Sequence, residues 1–187
     1  MKHFLAIILI LTFAGCRGIK HIITAEGQER PVHFSSFTYR KKAVKLSNNA
    51  SIDTQAVYRY TWSDHSTVPE TKNYEFLRFF DDGHVLYLLS TADKPAPDFN
   101  NLKKGTIGYY LLDGDKVRIE LFEITYGVHG SMRKTFGYIK DSQLVTYQES
   151  PETFNSSYKL IRAFSKNNVL YWEKMQPAGL LPVKPDW

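Results

Sequence analysis

The sequence contains a single cysteine, Cys16. This excludes an intrachain disulfide and any metal site built on clustered thiolates. The short signatures of common catalytic machines are also missing, with no G-x-S-x-G, H-E-x-x-H, C-x-x-C or P-loop. The six histidines (His3, His21, His33, His65, His84 and His129) never fall two or four residues apart, as the short ligand pairs of metal sites usually do. His84 has Asp81 and Asp82 nearby, but in a turn where solvated polar residues belong anyway. No cofactor is implied. Apolar residues nowhere recur at i, i+3, i+4 and i+7 over three turns, so a helical bundle is not expected.

Charged residues make up 23% of the 187, so the chain is no polar, disordered tail. Aromatic residues reach 14%, with 12 Tyr and 12 Phe, which favours β-structure. The net charge of +5 is spread out except at Arg40-Lys41-Lys42 with Lys45. It suits anionic neighbours such as lipid head groups or glycans.

The amino-terminal stretch MKHFLAIILILTFAGC joins a basic Lys2, an apolar run from Phe4 to Phe13, the small residues Ala14 and Gly15, and Cys16. The run has the length of a signal-peptide core and is too short for a permanent bilayer span, which needs roughly 20 residues. The ending resembles the lipobox of bacterial lipoproteins, with Thr12 and Phe13 at the apolar positions and Phe13 replacing the usual leucine. That resemblance implies cleavage before Cys16, a diacylglyceryl group on its thiol and an acyl chain on its amine. It implies a membrane partner, localisation to the cell envelope and no nucleic-acid role. Arg17 is not the aspartate that favours inner-membrane retention in proteobacteria, which points to the outer membrane. In such a protein the acceptor-like triplets Asn49-Ala50-Ser51 and Asn155-Ser156-Ser157 are expected to be chance matches.

Beyond the signal (1–15), residues 16–51 read as a tether with an irregular segment on which Phe34, Phe37 and Tyr39 dock. Residues 52–165 read as a β-domain, and 166–187 as a tail, in which Val169 to Met175 suits one short turn of helix. Alternating runs predict strands at Gln55–Trp62, Tyr74–Phe80, His84–Ser90, Thr106–Leu112, Lys116–Ile124, Met132–Ile139, Leu144–Gln148 and Ser157–Phe164. Asp81-Asp82-Gly83 and Asp113-Gly114-Asp115 supply turns, while Ala92–Lys104 reads as a long loop. Strands joined in this order predict an all-β, antiparallel up-and-down meander of about eight strands, closed as a barrel to remove its edges. A two-sheet sandwich is the alternative. In the barrel, Gln55–Trp62 pairs with Ser157–Phe164.

The stretches Phe79-Phe80-Asp81-Asp82-Gly83 and Gly108-Tyr109-Tyr110-Leu111-Leu112-Asp113-Gly114-Asp115-Lys116-Val117 resemble a lipocalin-like module. Similar stretches occur in small lipoproteins of Bacteroidetes-type bacteria and in the carboxy-terminal domain of some F-box proteins. The resemblance implies the barrel. Its turn glycines and strand aromatics specify a fold and no chemistry.

Candidate binding residues are Tyr126, His129 and Arg133, in and beside Gly127-Val128-His129-Gly130-Ser131, read as a flexible loop at the barrel mouth, and the strand aromatics Tyr58, Tyr87, Tyr109, with Tyr60 and Tyr110. Plain core packing competes with a pocket for all the tyrosines. Glu120 and Glu123 alternate in direction on one strand and cannot form an acid–base pair there. The expected function is non-catalytic binding of a small apolar ligand or a partner protein. An enzyme acting on surface glycans near His129, or a structural subunit, is the rival.

Overall fold

The computed structural model describes residues 18–42, 51–64, 71–92, 96–125, 129–147 and 169–187. Strands β1 (His21–Ile23) and β2 (Glu29–Pro31) form a small hairpin. The others are β3 (Val57–Asp64), β4 (Thr71–Phe79), β5 (His84–Ser90), β6 (Thr106–Asp113), β7 (Lys116–Thr125), β8 (His129–Lys140), β9 (Gln143–Tyr147) and β10 (Val169–Met175). These eight make a closed antiparallel barrel in the order β10-β3-β4-β5-β6-β7-β8-β9. The up-and-down barrel is therefore the fold, and the sandwich is excluded.

Closure comes from β10. Its residues Val169 to Trp172 pair with β9, and Glu173 to Met175 pair with β3. The expected closing segment Ser157–Phe164 lies outside the described residues. Val169–Met175 is not a turn of helix but the eighth barrel strand, so the barrel runs to Met175. The physical reason is its period of two: Leu170 and Trp172 join the interior cluster, while Tyr171 and Glu173 are exposed.

Tight turns close one end. Asp141 and Ser142 link β8 to β9 with both φ positive (50° and 65°), the geometry whose twist suits a two-residue hairpin. Gly83 takes φ 86° between β4 and β5. The strand ends at 64 and 71, 90 and 106, 125 and 129, and 147 and 169 lie at the opposite end, hereafter the loop end.

The apolar residues form two cores. One fills the barrel: Tyr58, Leu77, Phe79, Val85, Tyr110 and Leu121 are among its members. The other lies outside the wall, where Val57, Phe76, Leu86, Ile107 and Phe122 point outward under a covering layer of Phe37, Tyr39, Phe99 and Trp187. The part of the expected tether around Phe37 and Tyr39 is thus docked, with both side chains buried. The long loop holds a short helix, α1 (Ala96–Asn100), whose Phe99 is fully buried against Phe76.

Arg78 locks this covering layer. It points outward and is 2% exposed. It donates from Nη1 to the Phe99 carbonyl (2.7 Å) and Asn100 Oδ1 (3.2 Å), and from Nη2 to the Leu181 carbonyl. A second lock is His84, whose ring nitrogens lie 2.7 Å from Asp82 Oδ1 and 2.6 Å from the Trp187 backbone oxygen.

Candidate binding cavity in the barrel

The interior divides along its length. Towards the turn end, Tyr58, Phe79 and Tyr110 pack edge to face at 5.5 and 4.9 Å. Tyr58 Oη accepts from the Asp53 N–H at 3.0 Å, and the Tyr110 hydroxyl donates to the Phe80 carbonyl at 2.6 Å. That half is solid. Towards the loop end lies a cavity of about 280 Å³.

Leu77, Ile119, Leu121, Leu170 and Trp172 give it an apolar part. The Trp172 indole N–H donates to Thr146 Oγ1 at 2.8 Å, so this buried polar edge is satisfied within the wall. A polar group gathers on one side. Arg133 Nε lies 2.7 Å from Glu123 Oε1, and its guanidinium carbon sits 5.1 Å from the centre of the Tyr87 ring. Glu75 accepts from the Trp62 indole N–H at 3.0 Å. Burial pushes the Tyr87 hydroxyl well above the usual phenol range. The nearby Glu75 carboxylate adds to the shift, against the opposing pull of Arg133.

Of the expected site residues, Tyr87 and Arg133 come together here. Tyr58 shares the interior but is spent on packing the solid half. Tyr109 does not line this cavity: its side chain points outward into the covering layer, against Phe37 at 4.9 Å and His84 at 4.6 Å. His129 is not in a loop but opens β8, exposed at the loop-end rim. Tyr126 lies outside the described residues. Glu120 and Glu123 do diverge. Glu120 is buried outside the wall, accepting from the Tyr39 N–H at 2.8 Å with Lys134 at 3.5 Å, whereas Glu123 faces Arg133 within the barrel.

Sequence reading missed Glu75, Thr135, Thr146, Leu170 and Trp172, which line the cavity from four strands. The available signal was alternation: once Leu77 and Ile119 are assigned inward, Glu75 and Leu121 follow two residues away.

Set against known proteins, the chain matches no family model, no curated protein and no solved structure. The fold and cavity define it as a small closed β-barrel with a part-polar internal pocket.

Proposed function

We propose that this chain is a lipid-anchored envelope protein that holds a small, mostly apolar ligand in the loop-end half of its barrel, without transforming it. The observation that carries the binding reading is the cavity of about 280 Å³. An apolar void of about 150 Å³ is enough to take up benzene, so a compact ligand of one or two rings, or a short acyl segment, suits this space. Apolar walls with a few convergent polar groups are the usual make-up of such sites. Arg133, Glu75 and Thr135 would orient a polar end of the ligand.

Binding is favoured over catalysis by the state of the cavity carboxylate Glu75 and of Glu123 beside Arg133. Glu123 is paired with Arg133 and Glu75 is bonded by Trp62, so both are engaged as structural acceptors. The anchor rests on the lipobox-like approach to Cys16, since two or more acyl chains hold a protein where one is marginal. The same reading favours the outer membrane through Arg17.

Native mass spectrometry of the chain extracted in mild detergent from its own envelope tests both halves. The reading expects acyl groups on Cys16 and a non-covalent small molecule released on unfolding. Cys16→Ser is expected to lose fatty-acid labelling and to remain uncleaved. Equal labelling of both forms would remove the anchor, and a ligand-free protein in every preparation would remove the binding role.

A further inference from the structure

From Gly18 onward the chain is sewn to the rim of the barrel. Ile19 N–H donates to the Gly130 carbonyl at 2.8 Å, forming an isolated antiparallel bridge with the second residue of β8. Gly18 presses on the neighbouring rim residue so closely that a Cβ there would lie 2.9 Å from His129 Cβ. Only Arg17 separates Gly18 from Cys16. Two residues of extended chain reach at most ~7 Å. Any lipid on Cys16 therefore holds the loop end, and no other part of the barrel, close to the bilayer.

The surface at that end suits the contact. Trp62 and Leu89 stand near the loop ends of β3 and β5, 36% and 58% exposed. Ile22 and Ile23 of the β1–β2 hairpin are 52% and 64% exposed. The hairpin is fixed beside the same rim. Gln28 Nε2 donates to the carbonyls of Leu102 and Lys104, in the connection to β6, at 3.0 and 3.2 Å. Glu29 accepts at 3.2 Å from the N–H of Ile124, the partner of Gly130 across the sheet. Exposed lysines Lys20, Lys72 and Lys104 belong to the same end. The tight turns at the far end carry Asp81, Asp113, Asp115 and Asp141, with Lys116 and Lys140 beside them, and none of the exposed large apolar residues. Apolar side chains with an indole and lysines beside them are the make-up of an interfacial membrane contact.

We infer that the β1–β2 hairpin, with the loop ends of β3 and β5, forms a membrane-contact surface that seats on the anionic bilayer carrying the Cys16 lipid, so that the cavity exchanges its ligand with that bilayer. This rests on the anchor reading above, and it narrows the ligand to membrane-dwelling amphiphiles. A cavity of this size takes one short chain or a compact ring system, not a whole two-chain lipid.

Hydrogen exchange on the acylated chain in phosphatidylethanolamine–phosphatidylglycerol vesicles, compared with the soluble Cys16→Ser chain lacking its signal, tests the surface. Expected is slowed exchange across residues 20–32 and at the loop ends of β3 and β5, with no change at 81–83, 113–115 and 141–142. Slowing at those turns instead, or at neither end, overturns the proposal. Ile22→Asp with Ile23→Asp should abolish the slowing on the hairpin while leaving the melting midpoint unchanged, because both side chains are exposed. A chain beginning at Cys16 and coupled there to a maleimide lipid separates the two readings. Slowing at the rim in this chain supports the surface even if native Cys16 carries no acyl mass. Its absence here overturns the surface even if native Cys16 is acylated.

Discussion

The guanidinium of Arg133 lies over the ring of Tyr87 inside the barrel, 5.1 Å from its centre, with its Nε 2.7 Å from Glu123 Oε1. The phenol beneath is kept protonated by its surroundings, and it is one of several. Burial raises the hydroxyls of Tyr58, Tyr87, Tyr109 and Tyr110 above the ordinary value. In the unfolded chain these groups release protons near pH ~10. The folded state then binds more protons than the unfolded one, so stability falls as pH rises past that point and is fully present below it. Urea midpoints should hold steady up to about pH 9 and drop by pH 11, with phenolate absorbance at 295 nm appearing together with unfolding. Phenolate absorbance that develops fully while the barrel stays folded would contradict this.

Arg78 supports the covering layer through carbonyl acceptors on α1 and on the carboxy-terminal segment. Burial lowers its pKa only to about 10, so it stays charged at neutral pH. Arg78→Ala strands those carbonyls, at an expected cost of about 2–4 kcal/mol. Arg78→Lys should rescue little, because a single ammonium cannot replace the fork that serves both segments. Urea denaturation reads the loss. Limited proteolysis should show 96–104 and 176–187 opening before the barrel does.

Gly83 takes φ 86° in the β4–β5 turn. Gly83→Val forces a β-branched residue into that region, and should destabilise the protein by roughly 1 kcal/mol or more. An unchanged denaturation midpoint would count against a left-handed Gly83.

The tight hairpins were legible because alternation and turn chemistry agree locally: Tyr74–Phe80 into His84–Ser90 through Asp81-Asp82-Gly83, and Thr106–Leu112 into Lys116–Ile124. The closing strand was not, because VLYWEKM opens with four apolar residues that hide their period, and its partners lie 22 or more residues away (Val169 with Tyr147). The covering layer was obscure for another reason. Phe76, Leu86, Ile107 and Phe122 make the strands apolar on both faces, so no pattern says which face is the barrel interior. Tyr109 and Tyr110 are adjacent and both buried, yet they belong to different cores. Only the closed sheet tells them apart. The cavity shares this limit. Arg133 and Tyr87 were visible as residues of interest, but their convergence with Glu75 and Trp172 depends on register around the whole ring.

The central claim is that the loop-end half of the barrel is a binding cavity, and filling it is the most direct test. Thr135 lines the cavity from β8, and Thr135→Trp would place an indole in the space. The measurement is a fluorescence titration with the apolar probe N-phenyl-1-naphthylamine, on proteins first matched by far-UV circular dichroism. The account predicts that the natural chain binds one equivalent with blue-shifted emission, and that Thr135→Trp weakens this by at least about tenfold. Equal uptake by both proteins, or no uptake by the natural chain, would contradict it.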